Sequence, residues 1–149
     1  MLDGVFPAVI VVCTHRDPVP VTLSMIAMLT YTARMHRSPV PVSEIAVSWV
    51  DRLDLMLGAL VRDRDVIGPG RSIDIRFDGF MADVMGVAEQ VYDLAGEPLT
   101  DEMRAAMAQY LAGHQRGRLG QIATSAQMFG LDQQDLCARF TRYRQRFLW

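Results

Sequence analysis

The order of apolar and polar positions along the chain predicts two strands among several helices. The run from Val9 to Val12 is apolar without alternation, which is typical of a parallel strand buried on both faces. Ile73 to Phe77 alternates apolar and polar residues and predicts a second short strand. Helical spacing dominates elsewhere, so the predicted order is β-α-α-β-α-α-loop-α. This order indicates the α/β class with a parallel sheet.

Capping residues set the predicted starts of the helices. Asp17 and Pro18 suit the N-cap and the first position of a helix that continues to about Met35. This helix is apolar nearly all round, and helices of that kind are buried. Ser43 is the predicted N-cap of the next helix, whose apolar stripe comprises Ile45, Trp49, Leu53, Met56 and Leu60.

The second half of the chain shows the same signals. Val84, Val87, Ala88, Val91 and Leu94 have a helical period that Gly96 closes as a predicted C-cap. Thr100 and Asp132 are the predicted N-caps of two later helices. The last helix carries Leu136, Phe140, Tyr143 and Phe147 on one side, and its arginines (Arg139, Arg142, Arg144 and Arg146) are predicted to form its solvent face.

Two strands are too few for the sheet that this pattern requires. A strand with the composition of Val9 to Val12 needs a neighbour on each side to bury both of its faces. We therefore expect part of the sheet to lie outside this chain. The chain is either the C-terminal portion of a larger domain, or it completes its sheet with another chain.

Composition narrows the possible functions. The chain has 149 residues, half of them hydrophobic and 21% charged, which predicts a packed core about the size of one domain. The formal net charge of −2 lacks the basic excess of nucleic-acid-binding proteins. All of the positive side chains other than histidine are arginines, which form forked contacts with phosphate or carboxylate.

The cysteines and the termini favour a reducing compartment. Cys13 and Cys137 are too few for a disulfide framework, and neither has the spacing of a metal site, so we expect reduced thiols and no metal. No window reaches the ~18 apolar residues of a membrane span. Asp3 stands where a signal peptide would carry positive charge. These features predict a cytoplasmic protein.

The residues after the first strand are the strongest candidates for binding chemistry. Arg16 ends that strand directly before a helix N-terminus, and ligands of open α/β sheets bind beyond the carboxyl ends of strands. Free N–H groups at the helix start would add to an anion site, and Ser24, about two turns later, would add a hydroxyl donor. Alternatively, Arg16 pairs with an acid and Ser24 is a small packing residue.

A second basic segment, His114 to Gly120 ("HQRGRLG"), combines glycines with arginines. Glycines allow close backbone approach to a phosphate, although a solvated turn between helices has the same composition. The phosphate-loop pattern GxxxxGK[ST] is absent from the sequence. His15 and His114 have no third partner at a catalytic spacing, so no catalytic residue is predicted.

Three segments together resemble bacterial sulfotransferases that use 3′-phosphoadenosine 5′-phosphosulfate (PAPS). The first is "VVCTHRDPVPVTLS", with a serine eight residues after the arginine. The second, "IDIRFDGFMADVMGVAEQVYDLAGEPLTDE", is similar to their strand, acidic turn and helix. The third, "HQRGRLGQ" with the later "FGLD", is similar to their late basic loop and the start of their last helix. The resemblance implies a P-loop-like parallel-sheet fold, of which this chain has the mostly helical C-terminal part with about two short strands.

The resemblance implies roles for five residues. Arg16 and Ser24 would bind the 3′-phosphate of PAPS, which is a co-substrate, and Phe77 would lie near the adenine. Arg116 and Gly117 match the basic loop that closes over the same nucleotide. The acceptor would be a small-molecule or lipid alcohol.

The resemblance also implies that residues 1–149 form a partial sulfotransferase domain. The strand and phosphate loop that hold the 5′-phosphosulfate in the family have no counterpart in this sequence, and the catalytic base usually lies there. We therefore expect this chain alone to be inactive. Two alternatives stay open: a non-catalytic chain that self-associates or pairs with a complementing chain, and a fragment of another phosphate-handling α/β enzyme, such as a nucleotide kinase relative.

Overall fold

The structure is a computed structural model that describes residues 2–114 and 123–149, apart from the side chains of residues 2 and 3. Its helices and strands, in chain order, are α1 (Leu2–Val5), β1 (Val11–His15), α2 (Pro18–Arg34), α3 (Val42–Asp63), β2 (Ser72–Arg76), α4 (Phe77–Ala82), α5 (Val84–Ala95), α6 (Asp101–Gly113), α7 (Gln133–Arg139) and α8 (Thr141–Phe147). The predicted class, α/β with two short parallel strands in a mostly helical chain, is confirmed.

The chain forms two compact units. The first unit comprises Met1–His15 and Asp65–Gln121, and the second comprises Arg16–Arg64 and Ile122–Trp149. The first unit therefore contains both strands with α1, α4, α5 and α6. The second unit contains α2, α3, α7 and α8, and its described residues include no strand.

The first unit is built on the parallel pair of β1 and β2. Val11 is opposite Ser72 and His15 is opposite Arg76, so the two strands end together. Helices α4 and α5 pack against β2, and α6 packs against α5. The Arg71 guanidinium donates to the Pro7 carbonyl over 2.6 Å, which fixes the segment before β1 to the segment before β2.

The first strand differs from its prediction in both bounds and burial. It runs from Val11 to His15 rather than from Val9 to Val12, because its pairing with β2 continues to the end of that strand. Val12 and Thr14 are exposed, so the strand is not buried on both faces. Within the described residues, β1 pairs only with β2.

The second unit has a continuous apolar core. Its buried members are Val19, Leu23, Ile26, Ala46, Val50, Ala126, Phe129, Leu136 and Phe140. Helix α3 packs against both α2 and α8, which brings the N-terminal and C-terminal segments of this unit together. The prediction of a wholly buried α2 is wrong, because Met28, Tyr31 and Met35 form an exposed stripe on it.

Most of the predicted caps are confirmed. Thr100 accepts from the amide of Met103, and Asp132 accepts from those of Gln134 and Asp135. Gly96 ends α5 with a φ of 71°, in the left-handed region where glycine carries no Cβ penalty.

Two boundary predictions are wrong, and one cap was missed. Helix α3 begins at Val42 without a side-chain cap, so Ser43 is not its N-cap, and the last predicted helix is broken at Phe140 into α7 and α8. Asp83 caps α5 by accepting from the Gly86 amide over 2.8 Å, and a Cβ at Gly86 would overlap its carboxylate.

Neither a membrane-spanning helix nor a metal cluster occurs in the described part of the chain. Its helices are too short or too polar to cross a bilayer. Groups of three or more metal-ligating side chains are likewise absent from residues 2–114 and 123–149. Cys13 and Cys137 are free thiols and are half-buried.

Candidate functional site

Arg16 lies at the junction between the strand β1 and the helix α2. It follows His15, the last residue of β1, and precedes Asp17, the N-cap of α2. Its side chain is exposed. This is the position at which open α/β sheets bind ligands, so the described geometry keeps Arg16 as a candidate anion-binding residue.

The start of α2 offers fewer N–H donors than we expected. Its first three residues are Pro18, Val19 and Pro20, and the two prolines have no backbone N–H. The Val19 amide donates to Asp17 Oδ1 over 3.1 Å. The first turn therefore has no unengaged amide for an anion, and side chains must supply the donors. The two prolines in the sequence already carried this information.

Ser24 lies two turns into α2, on the same side of the helix as Asp17. Seven residues separate the two positions, which is about 10 Å along the axis. The Ser24 side chain is exposed, in contrast to the packing alternative, and its hydroxyl has no partner among the described residues. The hydroxyls of Thr22 and Thr32 differ from that of Ser24, because each donates to the backbone carbonyl four residues earlier in the helix.

The Asp17 carboxylate has two partners. Oδ1 accepts from the Val19 amide, while Oδ2 lies 3.5 Å from Nη2 of Arg144. The Arg144 side chain is only 23% exposed, and its Nε is buried without an acceptor among the described residues. The guanidinium also lies 5.2 Å from the centre of the Trp149 ring.

Arg144 was not predicted from the sequence to lie near the candidate site. We predicted all four C-terminal arginines on a solvent face, and this is wrong for Arg144, whereas Arg139, Arg142 and Arg146 are exposed. A signal was present in the spacing. Arg144 follows the buried Phe140 by four residues, and residues four apart lie on the same side of a helix.

Arg139, in contrast to Arg144, takes part in an ordinary ion-pair cluster on the surface. Its guanidinium lies 2.7 Å from Asp51 Oδ1 and 3.3 Å from Asp54 Oδ2 on α3. The hydrogen bond with Asp51 raises the pKa of Arg139 above its usual value. This cluster is solvent-accessible and its arginine is already paired with two carboxylates, so it has the character of a structural ion pair.

In the first unit, a histidine at the carboxyl end of β1 contacts an aspartate in the middle of β2. His15 is 1% exposed, and its Nε2 lies 2.7 Å from Asp74 Oδ1. The parallel register places His15 and Asp74 on the same face of the sheet. This hydrogen bond links the two strands. Asp74 itself was identifiable only as a polar position in the alternating segment.

The remaining predicted site residues lie elsewhere. Phe77 is not the last residue of a strand but the first residue of α4, where it is half-buried in the first unit. Arg16 and Ser24 belong to the second unit. Arg116 and Gly117 lie outside the described residues. His114, just before that segment, is exposed and stacks on Tyr110 with 3.9 Å between ring centres.

One apolar groove lies on the sheet of the first unit, with a volume of about 270 Å³. Its lining from the sheet is Val12, Thr14 and Ile75, and its lining from the helices is Phe80, Val84, Val87, Ala88, Val91 and Tyr92. No charged side chain lines this groove. It is therefore a hydrophobic surface and not a site for phosphate.

Comparisons with known proteins agree with these features. A model of the sulfotransferase family matches residues 1–101. The fold is similar to that of sulfotransferase STF9 from Mycobacterium avium, with a TM-score of 0.85, 27% sequence identity and 99% of this chain covered. It is also similar in fold to sulfotransferase STF1 from Mycobacterium tuberculosis H37Rv, with a TM-score of 0.71, 22% identity and 93% covered.

These similarities extend over only part of the two crystallised proteins. This chain spans 38% of the length of STF9 and 35% of the length of STF1. No curated protein matches the sequence at a significant level. The family match nevertheless covers about two thirds of this chain, including Arg16, Ser24 and Phe77. The chain belongs to the sulfotransferase family.

Proposed function

We propose that this chain contributes the 3′-phosphate site of a sulfotransferase that uses PAPS as its sulfonate donor and an alcohol as its acceptor. Arg16 and Ser24 bind the 3′-phosphate of the nucleotide. The observation that carries the proposal is the exposed Arg16 between β1 and the capped start of α2. Membership of the sulfotransferase family favours this function over that of a nucleotide kinase relative.

The chemistry of the two side chains supports this assignment. The Arg16 guanidinium can donate a forked pair of charge-assisted hydrogen bonds to phosphate oxygens. The Ser24 hydroxyl adds a donor that α2 does not use internally. Since the first turn has no unengaged amide, affinity rests on these side chains rather than on the helix backbone.

Other residues of the nucleotide site follow from the family resemblance. Phe77, which begins α4 directly after β2, contacts the adenine ring. Arg116 and Gly117 close over the nucleotide from the late basic loop. Aromatic and arginine side chains suit these tasks, because the first presents an apolar face to a base and the second a forked donor to a phosphate.

The 3′-phosphate site has a limited part in the reaction. Sulfuryl transfer moves negative charge to the bridging oxygen of the leaving phosphate, where preorganised donors must stabilise it. A 3′-phosphate site lies away from that oxygen, so Arg16 and Ser24 supply binding energy and orientation. We assign no catalytic residue in this chain, and we propose that it binds the nucleotide without transferring sulfonate alone.

Titration calorimetry with two nucleotides tests the proposal. Arg16→Ala should abolish the binding of adenosine 3′,5′-bisphosphate and leave the weaker binding of 5′-AMP nearly unchanged. The matched control is Arg34→Ala, which removes an exposed arginine from the other end of α2. Equal loss of both nucleotides in Arg16→Ala would show that Arg16 does not recognise the 3′-phosphate.

A second proposal concerns the partner of the sheet. We propose that another polypeptide strand pairs with β1 and covers the groove beside it. Val12 is 40% exposed on the face that lines this groove, and β1 has only β2 as a neighbour among the described residues. The larger crystallised relatives, of which this chain spans less than two fifths, favour polypeptide of the same fold as the source of that strand.

A further inference from the structure

We propose that Arg144 balances the charge of Asp17 and thereby positions the anion site of Arg16 and Ser24. This inference rests on the proposed function of those two residues. It concerns a residue near the C-terminus that the sequence pattern assigned to solvent. Three observations support it: the Asp17–Arg144 ion pair, the burial of the Arg144 Nε atom, and the position of Asp17 next to Arg16.

Asp17 creates an electrostatic problem for a phosphate at this site. It lies next to Arg16 in the chain and on the same side of α2 as Ser24. An ionised carboxylate there repels a phosphate that approaches the two donors. Asp17 is nevertheless required locally, since it accepts the Val19 amide and so caps the helix.

Arg144 resolves this conflict without removing the cap. The two carboxylate oxygens have separate partners, with Oδ1 on the Val19 amide and Oδ2 at 3.5 Å from Arg144 Nη2. The Asp17 side chain is 39% exposed and the Arg144 side chain is 23% exposed, so the pair is partly shielded from water. The cation therefore offsets part of the Asp17 charge that a phosphate would meet, and it restrains the carboxylate.

The local packing indicates that the guanidinium is held in place. Helix α8 packs on α3, and Phe140 and Tyr143 on either side of its first turn are 1% and 5% exposed. The Trp149 ring lies 5.2 Å from the guanidinium carbon. The buried Arg144 Nε has no acceptor among the described residues, which is unfavourable for stability and argues against a purely structural role.

A double-mutant cycle on the complete 149-residue chain tests the inference. Its variants are Arg144→Gln, Asp17→Asn and the double variant, and asparagine keeps the N-cap while losing the charge. The probe is adenosine 3′,5′-bisphosphate in calorimetry at low salt. Arg142→Gln is the matched control, because Arg142 is an exposed arginine on the same helix.

We expect Arg144→Gln to weaken binding about fivefold, which corresponds to about 1 kcal/mol. Asp17→Asn should bind the bisphosphate at least as tightly as the unsubstituted chain. In the Asp17→Asn background, Arg144→Gln should have a smaller effect, because Arg144 then has no carboxylate to hold and only its own charge is lost. Arg144→Lys should restore most of the affinity, and Arg142→Gln should leave it unchanged.

Three results would overturn the inference. Equal loss from Arg144→Gln in both backgrounds would mean that Arg144 acts on the ligand independently of Asp17, through its own charge or by direct contact. Unchanged affinity in Arg144→Gln, with Arg16→Ala still unable to bind, would leave the proposed function intact and remove the role of Arg144. Absence of bisphosphate binding by the unsubstituted chain would overturn the proposed function, and this inference with it.

Discussion

The two units of this chain differ in how completely they bury their apolar residues. Of the eleven buried apolar side chains among the described residues, ten belong to the second unit, and Ile75 alone belongs to the first. The first unit instead buries the polar His15 and Ser72, and it leaves Val12 of its sheet 40% exposed. Among the described residues, the first unit is therefore the less completely buried of the two.

The difference has a simple geometric cause. A helix has one apolar stripe, which a neighbouring helix can cover, and α2, α3, α7 and α8 supply such stripes to each other. A sheet has two faces and two edges, and two strands cannot close them. The second, helical unit therefore buries its own core, whereas the first unit, which holds the sheet, leaves part of its apolar surface exposed. We expect further strands to cover that surface.

The largest expected effect is the loss of an aromatic side chain from the helical core. Phe140→Ala should lower the free energy of unfolding by about 3–5 kcal/mol, because Phe140 is 1% exposed and its removal leaves a cavity. Phe80→Ala, in the half-buried groove of the sheet unit, should cost less than about 1.5 kcal/mol. Urea unfolding followed by circular dichroism measures both. Equal costs would contradict the contrast between the units.

The buried polar pair of the sheet unit should have the next largest effect. His15→Ala should destabilise the chain by about 1–3 kcal/mol, because it removes a buried side chain and its hydrogen bond to Asp74. His36→Ala, in the exposed turn after α2, is the control and should be neutral. If the two variants unfold at the same urea concentration, the His15–Asp74 pair does not stabilise the sheet.

Association of the chain tests whether the open sheet needs a partner. We expect the purified chain to self-associate and to show no PAPS-dependent labelling of an alcohol acceptor. Val12→Lys should weaken association about tenfold, because it places a charge beside the groove, whereas Val47→Lys on α3 should not. Sedimentation velocity measures both. A monomeric chain with sulfotransferase turnover would contradict the proposal.

The smallest expected effect concerns Ser24. Ser24→Ala should weaken the binding of adenosine 3′,5′-bisphosphate by about 1 kcal/mol, which is the net contribution of one hydrogen bond. Ser48→Ala, at an exposed serine of α3, is a control that should not change affinity. If calorimetry finds that Ser24→Ala does not change the affinity while Arg16→Ala still lowers it, Ser24 does not belong to the site.

Local signals predicted much of the fold. Asp17, Thr100 and Asp132 were identified as caps because their side chains satisfy amides two or three residues away, an interaction that sequence spacing specifies. Gly96 was identified for a similar reason, since a left-handed C-cap needs a residue without a Cβ. The bounds of β1 were wrong by about two residues, because its pairing partner is 61 residues away and its own pattern does not specify the register.

The residues of the candidate site show the same difference between local and long-range signals. Arg16 and Ser24 were identified from the sequence, because their positions relative to a strand end and a helix start are local. The two prolines that remove the N–H donors of α2 are also local, and the sequence contained this correction. Asp74 and Arg144 were not identified, because each contacts a residue far away in the chain, His15 in one case and Asp17 in the other.

The sequence alone determined most of the helix caps and the residues at the end of the first strand, since each depends on neighbours within about ten positions. It also indicated the family, through three segments that lie along most of the chain. Only the tertiary structure decided which arginine of the last helices turns inward and which face of β1 stays exposed. Periodicity distinguishes an apolar side from a polar side, but it does not specify what lies opposite. A charge such as that of Arg144 becomes half-buried when packing brings a carboxylate to it, and that carboxylate lies 127 positions earlier in the chain.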